Sequence, residues 1–223
     1  MNKPKNRLLS ALSPSAYRRI KDYLEPIKLF QGQILIESNQ NVKLLYFITQ
    51  GIVSLLVTMQ DGSTTAIMTM GKEGVVGLPQ FLGRGLSHSQ AMVQVKGSGI
   101  KLNFSVARKE FERGESLQKL LLQYNLKLFK RVSQTAACNN HHTVRQRTAR
   151  LLLIIGDRLE RDTFQMTQQL LSQMLGVRRT GVTEVASEIK NSGLIDYQRG
   201  QITLLDRPAL EEIACECYHI IQD

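Results

Sequence analysis

Apolar positions recur at two different periods along this chain, and the changes of period divide it. Residues 7–25 carry Leu8, Leu9, Leu12, Tyr17, Ile20 and Leu24 at helical spacing, the signature of an amphipathic helix. Pro14 allows a break between two short helices, and Pro26 ends the stretch. From Ile27 to Phe104 the period shortens. Strands are predicted near 27–30, 33–37, 44–48, 51–58, 64–70, 91–95 and 99–104. Asn39-Gln40-Asn41, Gln60-Asp61-Gly62 and Gly97-Ser98-Gly99 supply turn signals between them. Strands at such regular spacing predict a small all-β sandwich or barrel. Residues 106–113 then read as a short helix closing the β unit.

Ser116 to Asn139 is one long helix without Gly or Pro. Leu117, Leu121, Tyr124 and Leu128 form one apolar line, and Leu122, Leu126, Phe129 and Ala136 form a second. Two surfaces are therefore covered. One reading pairs the second line with the same helix of another copy; the other buries the whole helix within one monomer. Asn139-Asn140-His141-His142 interrupts the pattern and marks a domain boundary, giving segments 1–115, 116–139 and 140–223. A new helix from Thr143 carries Val144, Thr148, Leu151, Leu152 and Ile155 on one face.

Residues 167–197 read as two short helices around a tight turn. Thr167 is placed to cap the first, whose stripe is Leu170, Leu171, Met174 and Leu175. Gly176 breaks the pattern, and a second helix restarts near Arg178 with Val182, Val185, Ala186 and Ile189 on one face. Its other face shows Arg178, Arg179, Thr180, Thr183 and Glu184. A turn at Gln198-Arg199-Gly200 and a strand over 201–205 follow, then a terminal helix from Pro208 to Ile221. Helix, turn, helix and β-wing place a second helix in the DNA major groove, where Arg and Thr reach base edges and phosphates. The bland alternative is a helical hairpin with a solvated polar face. The DNA-contacting set is Arg178, Arg179, Thr180, Thr183 and Glu184, with Thr167, Gln168, Gln169, Arg145 and the wing residue Arg199.

The net charge of +10 supports this reading less than it first suggests. Residues 1–139 hold 19 Lys and Arg against 8 Asp and Glu, whereas residues 140–223 hold 10 against 11. Local clusters, Arg145, Arg147 and Arg150 with Arg178 and Arg179, must supply the phosphate attraction. No run approaches the roughly 18 apolar residues of a membrane span. Three cysteines, an odd number, argue against a disulfide framework and for a reducing cytoplasm. Cys215 and Cys217 with His219 nearby form a Cys-x-Cys without a second ligand pair, and adjacent His141 and His142 diverge on a helix. No metal and no cofactor is assigned, and no catalytic signature is present.

The order of parts resembles the Crp/Fnr (catabolite activator) family of bacterial transcription regulators over roughly residues 8–215. Leu45-Tyr46-Phe47-Ile48 with Gly51 and Val53 matches the family's strand-turn-strand pattern. Residues 71–77 (GKEGVVG) resemble the entry to its phosphate-binding cassette, and Leu175 to Thr180 with Gly193-Leu194-Ile195 its helix-turn-helix and exit to the wing. The resemblance implies an α+β chain: an N-terminal β-roll (a cyclic-nucleotide-binding-like double-stranded β-helix), a long dimerisation helix and a C-terminal winged helix-turn-helix. It implies a homodimer, a double-stranded DNA operator, RNA polymerase as a partner, and no membrane.

The departures are specific. Cyclic-nucleotide-binding members carry Glu after the cassette Gly and an Arg-Ser/Thr-Ala triplet about ten residues later; here Leu78 follows Gly77, and Ser89-Gln90-Ala91 replaces the triplet. Arg84 and Lys96 are the neighbouring cations that could stand in. A gapless match puts Val132 beside Ser133 where a Thr-Ser pair would reach the purine. The effector pocket is thus assigned to Gly77, Leu78, Ser89, Gln90, Val132 and Ser133, its small-molecule ligand unknown and not cyclic AMP. No cysteine precedes Cys138, so the iron–sulfur cluster of the oxygen-sensing branch is not implied. The Arg-Glu-x-x-x-Arg pattern of the familiar operator readers becomes Arg179, Thr180 and Glu184. The expectation is a sequence-specific, dimeric transcription regulator. The alternative is a ligand-binding or protein-interaction module with a vestigial helix-turn-helix.

Overall fold

The computed structural model describes residues 4–83 and 86–221. Two short helices open the chain, α1 (Arg7–Ser10) and α2 (Pro14–Ile20), with Ser13 capping the second and Pro14 at its first position. Six strands follow: β1 (Glu25–Leu29), β2 (Ile34–Ile36), β3 (Leu44–Thr58), β4 (Thr64–Met70), β5 (Val75–Val76) and β6 (Gln90–Asn103), with helix α3 (Leu78–Gly83) before β6. The sheet order is β1-β6-β3-β4, β2 pairing with β6 and β5 with β3. Helix α4 (Phe104–Phe111) closes the roll, and α5 (Ser116–His141) is the long helix. The remainder is α6 (Val144–Leu159), β7 (Thr163–Gln165), α7 (Gln168–Leu175), α8 (Arg179–Asn191), β8 (Ile195–Gln198), β9 (Gln201–Leu204), α9 (Arg207–Glu212) and α10 (Cys217–Ile221). This is the expected α+β architecture of β-roll, long helix and winged helix-turn-helix.

Contacts divide the chain into two compact units, Met1–Leu56 with Met68–Phe129, and Val57–Ile67 with Lys130–Asp223. The division falls inside α5, which continues through Asn139 to His141 where the sequence pattern suggests an interruption.

In the first unit β3 serves two cores. Leu45 and Phe47 join Leu9, Leu12, Ile20, Phe81, Leu121 and Tyr124 in a cluster under the helices. Tyr46 and Ile48, on the opposite face of the pleat, pack with Leu29, Val53, Met70 and Val93 inside the roll. Asn6 ties the entering chain to this sheet. It is fully buried, accepts from the amides of Leu8 and Leu9, and donates to the carbonyls of Ile48 and Gly74, both at 2.8 Å.

Two strand pairs expected from the sequence are continuous. β3 runs through Thr49 to Gly51, and β6 runs through Gly97-Ser98-Gly99. These segments lie against each other, Ile48 opposite Gly99 and Gln50 opposite Ser98, with register shifts on both sides. Gly51 has φ +92°, and a Cβ there would sit 2.5 Å from the Val95 carbonyl oxygen. The glycines mark a bulged close approach of backbones, not a reversal.

Candidate nucleic-acid interface

The second unit builds its polar face from the packing of three helices. Thr143 opens α6 with a reciprocal capping box to Gln146. The helix then buries Leu151, Leu152, Ile154 and Ile155 against α7, α8 and α9. Thr167 caps α7 by accepting from the Leu170 amide at 3.2 Å, and the α7 stripe Leu171, Met174 and Leu175 is buried. Gly176 ends α7 in the left-handed region, φ +64°, which a residue with a Cβ adopts only at a cost. α8 then turns Val182, Ala186 and Ile189 inward, all at most 2% exposed.

That inward stripe dictates what α8 presents to solvent. Arg178, Arg179, Thr180 and Glu184 are exposed at its start and along its outer face. Arg178 occupies the cap position without making a side-chain cap bond, and no acidic residue lies in the first turn. The opening amides of α8 thus keep their positive end toward solvent. The wing is three-stranded, β7-β9-β8, with β7 and β8 additions to the one strand expected from sequence. Its tip turn holds Arg199 and Gly200 at φ +49° and +77°, with Arg199 exposed.

Other expected contact residues are already engaged within the protein. Thr183 Oγ1 lies 3.0 Å from Gln168 Oε1 and 2.9 Å from the Arg179 carbonyl, so these two side chains lock α7 to α8. Gln169 and Thr167 remain exposed. Arg145 Nε lies 2.9 Å from Glu188 Oε1 on α8. Arg147 and Arg150 correct the expectation that they attract phosphate. Each is only 7% exposed, and burial lowers the Arg147 pKa. Among the described residues, the surface cations of α6, α8 and the wing include Arg145, Arg178, Arg179, Lys190 and Arg199. Tyr197, which the sequence pattern passed over, joins β8 to the interface. Burial raises its hydroxyl pKa, while the Gln168 backbone and the charge of Arg179 oppose that rise. Beside it, Lys190 Nζ reaches Asp196 Oδ1 at 2.9 Å and the Tyr197 carbonyl at 3.1 Å, holding the end of α8 to the wing. Lys190 also holds the Asp196 carboxyl below its ordinary range.

Within the first unit, the residues assigned to the effector pocket take different surroundings. Gly77 abuts the Leu44 carbonyl and the side chains of Val42 and Ile36. All three line an open groove of about 220 Å³ on the roll, together with Glu37, Lys43 and Tyr46. Gln90 borders the same groove by donating to Glu37 Oε2 at 3.0 Å. Leu78 does not line it: it is fully buried in the cluster with Phe81, Leu121 and Tyr124, a core residue. Ser89 is 8% exposed and its carbonyl accepts from Ser87 Oγ. Val132 and Ser133 are exposed on the part of α5 that belongs to the second unit. Lys96 is exposed, and Arg84 lies outside the described residues. Ser54 and Gln94, on the paired strands β3 and β6, are fully buried with no hydrogen-bond partner among the described residues, a polar pair without a signal in the sequence pattern.

Comparison with known proteins agrees with this architecture. Residues 26–113 match the cyclic nucleotide-binding domain, and residues 146–213 match the Crp-like helix-turn-helix domain. Among curated protein sequences no relative is detected. Similar solved structures include FixK2 from Bradyrhizobium japonicum, 17% identical, covering 86% of this chain and 98% of that one with a TM-score of 0.74. The c-di-GMP-responsive global regulator CLP of Xanthomonas campestris is 14% identical over 87% of this chain and all of that one, TM-score 0.71. A CRP-family transcriptional regulator from Thermus thermophilus is 18% identical over 84% of this chain and 96% of that one, TM-score 0.69. Among the described residues no helix is long and apolar enough to cross a membrane. With its two domain types in the family's order, on either side of a long helix, the chain belongs to the Crp/Fnr family of transcription regulators.

Proposed function

We propose that this chain is a homodimeric, sequence-specific DNA-binding regulator in which α8 reads the major groove. The observation that carries the reading is the outer face of α8: Arg178, Arg179, Thr180 and Glu184 stand in solvent while the opposite face is buried. Base edges discriminate sequences and phosphates add affinity. Arg179 is the base reader, with Arg178, Thr167, Gln169, Arg145 and Arg199 on the backbone. Dimerisation through α5 is supported by Leu122, Leu126 and Phe129, which stand 49%, 56% and 70% exposed beside the buried line of Leu117, Leu121, Tyr124 and Leu128. Functionally the chain divides into a sensor (1–115), a dimerisation helix (116–139) and a DNA-binding domain (140–223), working in the cytoplasm with RNA polymerase. The sensor takes a small molecule other than cyclic AMP. Its groove offers Ile36, Val42, Leu44 and Tyr46, with the charges of Glu37 and Lys43 both at its lining, features suited to a largely apolar ligand with a polar end.

Selection of bound sequences from random duplex DNA, followed by mobility shift, tests the reading. A two-fold symmetric site with half-sites about 34–36 Å apart is expected. Binding without sequence preference, or none, would instead leave an interaction module with a vestigial helix-turn-helix.

A further inference from the structure

The expected terminal helix is broken, and the break holds the cysteines. Cys215 lies between α9 and α10, and Cys217 begins α10. Cys138 in the last turn of α5 and His142 just after it stand one helical turn apart, the His142 amide donating to the Cys138 carbonyl at 3.1 Å. The fold brings these four together: Cys138 Sγ is 3.5 Å from Cys215 Sγ, and Cys217 Sγ is 3.8 Å from His142 Nδ1. All four candidate ligand atoms lie within 4.8 Å of one another. The sequence spacing shows only a Cys-x-Cys; the second pair comes from a helix more than seventy residues earlier, and of the two adjacent histidines only His142 turns inward.

We infer that Cys138, His142, Cys215 and Cys217 form a tetrahedral binding site for one zinc ion. Three thiolates and an imidazole are a donor set that selects zinc, with Zn–S near 2.3 Å and Zn–N near 2.0–2.1 Å. A tetrahedron of those bonds has S–S edges of about 3.8 Å and S–N edges of about 3.6 Å. The two short distances lie close to these, and with every pair within 4.8 Å, shifts of about an ångström close the site. An iron–sulfur cluster inserts its own inorganic core and needs the ligands further apart.

The surroundings are those of a ligand set. His142 Nε2 lies 3.0 Å from Glu216 Oε2, leaving Nδ1 to face the sulfurs. A carboxylate on the far nitrogen of a metal-bound imidazole fixes its tautomer and orientation. Gln134 Nε2 donates to Cys217 Sγ at 3.0 Å. Arg147 and Arg150 are buried close enough to interact electrostatically with Cys138 and Cys215, and the Nε of each has no hydrogen-bond partner among the described residues. Three thiolates around a divalent ion leave one net negative charge, which a buried guanidinium offsets. Binding converts three thiols to thiolates and releases their protons to solvent, with no change in oxidation state. A Cys138–Cys215 disulfide would use two of the four groups and give Cys217, His142 and Glu216 no part.

Bound metal would fasten the end of α5 to the C-terminal segment, and α10 packs on α6, the helix beneath α7 and α8. The test uses the full chain, purified reduced and stripped with chelator, its fold checked by circular dichroism. Added zinc should be retained at one ion per chain. Added cobalt(II) should give the intense d–d bands of a tetrahedral centre and sulfur-to-metal charge transfer. Cys217→Ser should abolish both signals. Glu216→Gln, which leaves every ligand in place, should keep the cobalt spectrum with affinity weakened about 10–100-fold. A folded, reduced chain that retains no zinc and gives no tetrahedral cobalt spectrum overturns the assignment. So does visible iron–sulfur absorption, or a Cys138–Cys215 disulfide that forms equally fast with zinc present.

Discussion

At the scale of single residues, the proposed reading of α8 separates recognition from attraction. Arg179→Ala should relax preference at one half-site position by about 1–3 kcal/mol, because a guanidinium forked onto a guanine is lost there. Arg145→Ala should weaken binding to all sequences alike and make the salt slope shallower. Binding curves on the selected site and on point-mutated sites, at several salt concentrations, compare the two; identical behaviour would place the recognition face elsewhere. Arg145 also carries an internal partner. Replacing Glu188 with Gln removes the carboxylate at 2.9 Å, so affinity should rise for every sequence and the salt slope should steepen. Inside the roll, Asn6 is a second kind of single-residue commitment. It satisfies two amides of α1 and two carbonyls of the sheet. Asn6→Ala should destabilise the protein by about 2–4 kcal/mol in urea denaturation, the sum of a lost cap and stranded buried partners.

Among the elements, those with a clear period were legible in the sequence and those defined by a partner were not. Pro14, Thr167 and Gly176 mark ends that the structure places at those residues, because capping and left-handed turns are local chemistry. Gly97-Ser98-Gly99 misled, since a glycine that ends a strand and one that admits a neighbouring backbone look alike until the neighbour is known. The neighbour is Gln50: a Cβ on Gly97 would sit 2.0 Å from its carbonyl oxygen. Leu78 misled in the same way, its alignment with a polar pocket position saying nothing of the core it enters. Arg147 and Arg150 read as surface cations because helical spacing does not show that the fold sets them near Cys138 of the preceding helix and Cys215 near the C-terminus. The long helix is the opposite case: both of its apolar lines are visible in the sequence, and the structure buries one while leaving Leu122, Leu126 and Phe129 of the other exposed. Phe129→Glu should give monomer in sedimentation and lose operator affinity, because two carboxylates in an apolar seam cost at least about a few kcal/mol per dimer. A variant that stays dimeric would take this helix out of the interface.

At the scale of the whole molecule, the question is what the roll communicates to the DNA-binding unit. An effector regulates only by binding the DNA-competent state with different affinity, and the coupling is reciprocal. Cyclic AMP and cyclic GMP should not enter that cycle here. A cyclic phosphate taken out of water requires a cation or several amide donors. Ser89 supplies no charge, the Gln90 amide is occupied by Glu37, and the one ammonium lining the groove, Lys43, shares it with the Glu37 carboxylate, which would repel a phosphate. Leu78 is packed into the core and accepts no hydrogen bond from a ribose hydroxyl. Each loss stands at a different contact of the ligand, so restoring one does not restore the site. Calorimetry with either nucleotide should show no tight binding, and the mobility shift on the selected operator should be unchanged by millimolar additions. Micromolar binding that strengthens DNA affinity would show that the roll rebuilds a phosphate site from other residues. Operator binding with equal affinity whatever nucleotide is present is the expected outcome, and it turns the search for a signal to other ligands of the groove and to the state of the second unit.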